Sequence, residues 1–163
     1  MPSEGFLLFL STIYLCCVLL VCTVVDLRRF VIPNRANAAS LIGAMTYAVL
    51  SSRHALGPQM LGGLIGGSAF VAIAIAFRRI RHHDGLGLGD AKFMVGAGTW
   101  VGWQGVAPLV LAASLSALTY LLVRKIMDAR FDPQDRIPFA PFLSLATLIV
   151  WCLQEHEAAL WMG

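Results

Sequence analysis

The sequence predicts an all-α, polytopic membrane protein with about six transmembrane helices. Apolar residues make up 58% of the 163-residue chain, and charged residues only 13%. Soluble domains carry roughly 25% charged residues, so this chain lacks the polar surface that a water-soluble globule needs. The apolar stretches are also too long, and alternate too little, for the ~10-residue strands of a membrane barrel.

Six apolar stretches define the predicted helices, which span 5–25, 36–50, 59–77, 90–103, 106–123 and 138–153. A membrane-spanning helix needs about 20 apolar residues, and fewer where protein surrounds it. The second and fourth stretches are short, so we expect longer neighbours to flank them. The first stretch lacks a basic start and a small-residue cleavage site, which favours an ordinary helix over a signal peptide. We expect one integral-membrane domain, 1–163.

The basic residues indicate the orientation of these helices. All of the 12 Lys and Arg residues except Arg53 fall in loops on one side of a six-helix topology. Because basic loops are enriched on the cytoplasmic side, both termini are predicted to be periplasmic, in a bacterial inner membrane. The net charge of +3 reflects these loops and predicts contact with phospholipid, with no nucleic-acid partner. Interfacial anchoring at the periplasmic side is predicted for Trp100, Trp103, Trp151 and Trp161.

The cysteines and one group of glycines are interpreted as packing residues. The cysteines contain no C-x-x-C pair, so no metal or redox site is predicted, and buried thiols are expected at Cys16, Cys17, Cys22 and Cys152. Two overlapping G-x-x-x-G patterns allow close helix approach, and packing within one chain is favoured over dimerisation for Gly62, Gly63, Gly66 and Gly67.

Two of the nine acidic residues stand at the ends of apolar stretches. Asp26 ends the first predicted helix and Asp90 opens the fourth, so the topology places both at the cytoplasmic face. Carboxylates in such positions are costly, which makes them candidates for function. The other acidic residues are interpreted as solvated surface positions, namely Glu4, Asp84, Asp128, Asp132, Asp135, Glu155 and Glu157.

The two aspartates can form one catalytic site if the first and fourth helices pack together. Adjacent like charges resist joint ionisation, so one carboxyl keeps its proton. The ionised carboxyl can then activate water while the protonated one polarises a scissile carbonyl. Glycines before Asp90 permit close approach of a substrate strand. Spacing alone leaves alternatives open: interfacial caps, ion-pair partners of Arg28 and Lys92, or ion sites of a small transporter.

Three segments resemble the type IV prepilin peptidases, which are G-x-G-D intramembrane aspartic proteases. The stretch G-L-G-L-G-D-A-K over 85–92 resembles the G-x-G-D motif. Asp26, followed by I-P-N over 32–34, resembles the first motif of that family. The stretch I-P-F-A-P-F over 137–142 resembles its P-F-G-P segment, with Ala140 in place of glycine. The three matches occur in the expected order.

This resemblance implies an aspartic endopeptidase that cleaves the leader peptides of prepilins or pseudopilins at the cytoplasmic face. It implies Asp26 and Asp90 as the catalytic pair, no metal or cofactor, and contact with pilus assembly machinery. Substrate binding or support of the motifs is implied for Pro33, Asn34, Gly87, Gly89, Lys92, Pro138, Phe139 and Pro141.

The supporting residues also have simpler interpretations. Pro33 and Asn34 are expected to set the turn into the second helix. Lys92 is expected either to orient a carboxylate or to meet phospholipid. Pro138, Phe139 and Pro141 either shape a substrate groove or only begin the last helix.

The start of the chain also bears on its expected activity. Larger members of the family carry an N-terminal domain with two C-x-x-C pairs and a second activity, N-methylation. This chain starts at its first apolar stretch, so it resembles the small peptidase-only branch of tight-adherence (Flp-type) pilus systems. We therefore expect no N-methyltransferase activity. A non-catalytic assembly scaffold is the remaining alternative, and the intact aspartate pair argues against it.

Overall fold

The computed structural model describes residues 4–51, 56–81, 87–127 and 137–160. These residues form five α-helices: α1 (Glu4–Arg29), α2 (Asn34–Leu50), α3 (Leu56–Arg81), α4 (Leu88–Met127) and α5 (Ala140–Leu160). Three of them, over 4–29, 56–79 and 88–127, are long and apolar enough to cross a membrane. The all-α prediction is therefore confirmed for the described part of the chain.

Helix α4 contains both the fourth and the fifth predicted helices in one run of 40 residues. The sequence predicted a loop between 103 and 106, but the structure confines the interruption to Gly102. The φ of 65° and ψ of 174° at Gly102 are not helical. This backbone region is open almost only to glycine, because a Cβ would be strained there. One residue thus divides α4 into a first arm, 88–101, and a second arm, 103–127.

The second arm of α4 runs antiparallel to α5. Next to the break, the carbonyl of Val101 accepts a hydrogen bond of 3.0 Å from Gln154 Nε2, near the end of α5. Far from the break, the rings of Tyr120 and Phe142 lie 5.6 Å apart, near the start of α5. The second arm therefore leads from the end of α5 back to its beginning.

The first arm of α4 begins at that same end of the bundle. Asp90 interacts electrostatically with Asp26, whose carboxylate accepts a hydrogen bond from the first residue of α5, Ala140. Both ends of α4 thus lie beside the start of α5, while Gly102 lies beside its end. A straight helix would separate residues 90 and 120 by about 45 Å, so α4 folds back on itself at Gly102.

The centre of the bundle is the first arm of α4. Every residue from 96 to 102 is buried, which means that protein surrounds this stretch on all sides. Close packing against α3 depends on glycine: a Cβ on Gly62 would collide with the main chain of Gly98, and one on Gly66 would lie 3.0 Å from the Met94 carbonyl. The prediction that the G-x-x-x-G patterns serve packing within one chain is confirmed.

An aromatic cluster at the Gly102 end corrects the tryptophan prediction. Trp100 and Trp151 are each 1% exposed, and their rings meet edge to face at 5.0 Å. They are core residues, so the interfacial role predicted for them is wrong. Trp103 is exposed, and Trp161 lies outside the described residues. Local sequence could not separate these cases, because burial depends on neighbours from other helices.

Glu155 is part of the same cluster, and the solvated position predicted for it is wrong. Its side chain is 4% exposed and accepts a 3.0 Å hydrogen bond from the Tyr47 hydroxyl. The partner lies 108 residues away, so no local pattern reveals it. Glu157 is exposed as predicted and Glu4 is half-buried. The other residues interpreted as solvated acids lie outside the described ranges: Asp84, Asp128, Asp132 and Asp135.

The four cysteines are free thiols. Cys22 is buried as predicted and Cys16 is half-buried, but Cys17 and Cys152 are exposed on the outer faces of α1 and α5. The prediction of buried thiols is therefore wrong for these two. Their faces carry exposed apolar side chains as well, which a surrounding bilayer tolerates.

We predict that Gly62→Ala destabilises the protein because the new methyl group meets main chain that cannot yield. Overpacking of this kind typically costs about 1–3 kcal/mol, and thermal unfolding in detergent should show it as a lower Tm. The control is Gly5→Ala in α1, where a Cβ meets nothing within 4 Å. Equal Tm values for the two variants would contradict the close contact between α3 and α4.

We also predict that Tyr47→Phe lowers the Tm, because it removes a donor from a buried carboxylate. The expected loss is about 1–3 kcal/mol. Tyr14→Phe is the matched control, since the Tyr14 hydroxyl donates to the Ala39 carbonyl at an exposed position. A loss as large in Tyr14→Phe would show that burial of Glu155 does not determine the effect.

Candidate active site

Asp26 lies in the last turn of α1 and is 6% exposed. Its Oδ2 accepts a 3.0 Å hydrogen bond from the Ala140 N–H, and the Phe139 N–H also donates to this carboxylate. The first N–H groups of a helix have no partner within the helix and carry partial positive charge. Asp26 therefore caps α5 from a position 114 residues earlier in the chain.

The segment over 137–142 has the backbone that this cap requires. Pro141 occupies the second position of α5, where its missing N–H would have no helical partner in any case. The N–H groups of Phe139 and Ala140 remain available to Asp26. Ala140 is fully buried and has no positive φ, so alanine fits where the family pattern has glycine.

Asp90 is half-buried in the first turn of α4. Its N–H donates to the Gly87 carbonyl over 3.0 Å, and the Gly87 N–H donates to its carboxylate. The two glycines of the motif thus play different parts: Gly87 bonds Asp90, while Gly89 lies over the buried side chain of Ile32. A Cβ on Gly89 would stand 3.6 Å from Ile32, which is ordinary contact.

The connection between α1 and α2 joins the two aspartate segments. α1 ends at Arg29. The next residue, Phe30, has a φ of 53° that turns the chain, and its N–H donates to the Asp26 carbonyl. Pro33 is extended and precedes the first residue of α2, Asn34, so the predicted turn is confirmed. Asn34 Oδ1 accepts a 3.2 Å hydrogen bond from Lys92 Nζ. Lys92 thus donates to an amide oxygen.

The structure brings all three motif segments to one end of the bundle. The carboxyl groups of Asp26 and Asp90 are close enough to interact electrostatically, and Cys22 is buried one turn before Asp26.

The sequence did not predict the N–H donors of Phe139 and Ala140, because main-chain groups are the same in every residue type except proline. Among the described residues, no group of three or more His, Cys, Asp or Glu side chains could hold a metal ion. Gly85 lies outside those ranges.

The described residues form a helical bundle in which two carboxyl groups interact at one end, and this acid pair is the candidate site. The chain belongs to the type IV leader peptidase family, which matches residues 13–122 and so includes both aspartates. The segment at 137–142 lies beyond that match.

Individual relatives agree with this family. Leader peptidase HopD of Escherichia coli is 29% identical over 125 residues, which is 77% of this chain and 81% of that protein. The prepilin leader peptidase/N-methyltransferase of Aeromonas hydrophila is 28% identical over 137 residues, 84% of this chain but 47% of the relative. The protein of that name in Escherichia coli K12 is 28% identical over 133 residues, which is 82% of this chain and 58% of that relative. The chain therefore spans about half the length of these two relatives. No solved structure gives a significant match.

We predict that Asp26→Asn leaves the Tm nearly unchanged, whereas Asp26→Ala lowers it. Asparagine keeps an oxygen that accepts the Ala140 N–H, but alanine leaves a buried donor unsatisfied, which costs about 1–3 kcal/mol. Thermal unfolding in detergent is the measurement. Equal Tm values for the two variants would show that Asp26 does not cap α5.

Proposed function

We propose that this protein is an intramembrane aspartic endopeptidase that cleaves the leader peptide of prepilins, with Asp26 and Asp90 as its catalytic pair. The observation that carries the proposal is the electrostatic interaction between these two carboxyl groups, from α1 and α4, at one end of the bundle. Membership of the leader peptidase family and the prepilin leader peptidases among its relatives support prepilins as substrates.

The proposed reaction is hydrolysis of one peptide bond by water. The pair shares one proton: the ionised carboxyl takes a proton from water, and the protonated carboxyl donates a hydrogen bond to the scissile carbonyl oxygen. Water oxygen attacks the carbonyl carbon, the C–N bond breaks, and the leaving amine receives a proton from the pair. Metal and cofactor have no part in this scheme, and their absence remains a prediction.

The supporting residues position the two carboxyl groups in this proposal. Main-chain donors at Phe139 and Ala140 fix Asp26, and the Pro138 and Pro141 rings hold that turn. Gly87 fixes Asp90. The contacts of Gly89 with Ile32 and of Lys92 with Asn34 hold the start of α4 against the start of α2.

We further propose six membrane crossings, made by α1, α2, α3, the two arms of α4, and α5, in a single domain over 1–163. The reversal at Gly102 supports two crossings by α4. The first arm is only about 20 Å long against ~30 Å of hydrocarbon, which is tolerated because protein surrounds it. Basic residues concentrate at the aspartate end, which supports a cytoplasmic site, periplasmic termini and an inner-membrane location.

The finer aspects of specificity are proposals as well. Similarity to HopD, which is named a leader peptidase, supports peptidase activity, and we propose that the protein has this activity alone. Flp-type prepilins or pseudopilins of a tight-adherence system are the proposed substrates. Pilus assembly machinery and phospholipid are the proposed partners.

We predict that Asp26→Asn and Asp90→Asn each reduce prepilin cleavage by at least about a thousandfold, because residues that act as a unit lose nearly all activity singly. Co-expression with a Flp-type prepilin, followed by a gel-shift assay, measures processing. Glu157→Gln is the control, since Glu157 is an exposed acid outside the site. Full processing by either aspartate variant would reject the proposed mechanism.

A further inference from the structure

The two aspartates of the candidate site belong to helices whose backbones stay apart. Among the described residues, no Cα atom of α1 lies within 8 Å of one in α4, so the interaction between Asp26 and Asp90 is made by their side chains. Both α2 and α5 pack against α1 and against α4. The position of Asp26 relative to Asp90 therefore depends on how α2 and α5 hold the two helices.

Helix α5 is bound to α1 along much of its length. Its start is capped by Asp26. Further along, Ser144 Oγ donates to the Leu19 carbonyl over 3.4 Å. Beyond that point, Trp151 Nε1 donates to Thr12 Oγ1 over 3.2 Å. The two helices thus form one unit, the α1–α5 pair, which carries Asp26 at one end and reaches the opposite end of the bundle.

The far end of the α1–α5 pair is joined to α4 by Gln154, whose Nε2 donates to the Val101 carbonyl over 3.0 Å. In a continuous helix this carbonyl would accept the N–H of residue 105. That bond cannot close here, because the backbone at Gly102, between the two residues, is not helical. The Gln154 amide therefore replaces a main-chain donor at the point where α4 reverses.

Gly105 leaves space for this amide beside α4. Gly105 is buried, and a Cβ added to it would lie 3.0 Å from Gln154 Nε2, closer than ordinary van der Waals contact. A side chain at 105 would therefore push the amide away from the Val101 carbonyl. The break at Gly102 supplies the acceptor and the glycine at 105 supplies the room, so the Gln154 side chain fits this one place on α4.

We infer that Gln154 is a positioning residue for the proposed catalytic pair and acts from the opposite end of the bundle. This inference rests on the proposed peptidase function. The α1–α5 pair carries Asp26, the first arm of α4 carries Asp90, and Gln154 joins the pair to this arm where the arm ends. The bond between Lys92 and Asn34 holds the other end of the arm to α2.

The length of α5 makes this bond effective at a distance. From Gln154 to Ala140, whose N–H holds Asp26, α5 measures about 21 Å. Over this length, a tilt of the α1–α5 pair by about 3° displaces Asp26 by about 1 Å. The first arm does not follow such a tilt, because α3 packs closely against it through Gly62 and Gly66. Misplacement of a reacting group by about 1 Å can lower a rate by about a hundredfold.

The test compares Gln154→Met with Gln104→Met in protein purified in detergent. Methionine has a similar length but donates no hydrogen bond, and Gln104 is an exposed glutamine at the same end of the bundle. Gln154→Met should lower kcat on a Flp-type prepilin by at least about tenfold. It should leave KM within about twofold of the wild-type value, because the contacts with substrate are retained. Gln104→Met should match the wild type in both constants.

The pH profile separates positioning from a purely structural role. The proposed reaction needs the aspartate pair with one proton, and repulsion between two nearby carboxylates widens the pH range in which this form exists. Displacement of Asp26 away from Asp90 weakens the repulsion, so the profile of kcat against pH should be narrower in Gln154→Met. A loss of folded protein would lower the activity without changing the width of the profile.

Gln154→Glu gives a second measurement that does not depend on the folding of Gln154→Met. A protonated carboxyl at this position donates to the Val101 carbonyl, whereas an ionised one does not. The kcat of Gln154→Glu relative to the wild type should therefore rise as the pH falls from about 8 to about 5.

Four results would overturn the inference: wild-type kcat in Gln154→Met, equal losses in the two methionine variants, a lower kcat with an unchanged width of the pH profile, or no recovery of Gln154→Glu at acidic pH. Failure of the wild-type protein to cleave the prepilin would instead reject the proposed function.

Discussion

The reversal of α4 at Gly102 is the constraint on which the rest of the structure depends. A continuous helix of 40 residues would extend about 60 Å, twice the thickness of the hydrocarbon core. The non-helical φ and ψ of a single glycine fold the two arms together. The first turn of α4, which carries Asp90, lies at the same end of the bundle as the last turn of α1, which carries Asp26. The buried cluster around Trp100 lies at the other end, next to Gly102.

Asp26 has a structural function beside the proposed chemical one. Main-chain N–H groups at the start of a helix need partners, and burial of Ala140 and Asp26 keeps water from supplying them. The Asp26 carboxylate supplies one for α5. The same bond fixes the carboxylate in place, so the fold that needs the cap also pre-organises the proposed catalytic group. Asp90 receives its own main-chain donor from Gly87.

The sequence could predict the features that depend on local pattern. Apolar length predicted the helices, and the motif segments pointed to the two aspartates whose carboxyl groups interact in the structure. The role of Gly102 was not predicted, because one glycine among Gly98, Gly102 and Gly105 looks locally like its neighbours.

The remaining differences arise from contacts between distant parts of the chain. Trp151 and Glu155 carry polar groups near a helix end, and this local pattern indicates a position at the membrane–water interface. In the structure, however, Tyr47 of α2 contacts both side chains. The N–H donors to Asp26 are main-chain atoms, so their position follows from the packing of α5 rather than from residue type. Side-chain exposure at Cys17 and Cys152 similarly depends on which helix faces pack together.

The central claim is that Asp26 and Asp90 act as one unit, and residual activity tests it most directly. Prolonged incubation of purified Asp26→Asn, Asp90→Asn and the double variant with prepilin would give three cleavage rates. If the two carboxyl groups share one reaction step, the double variant cleaves about as slowly as either single variant. If the two losses multiply in the double variant, the residues contribute independently and the account of a shared site is wrong.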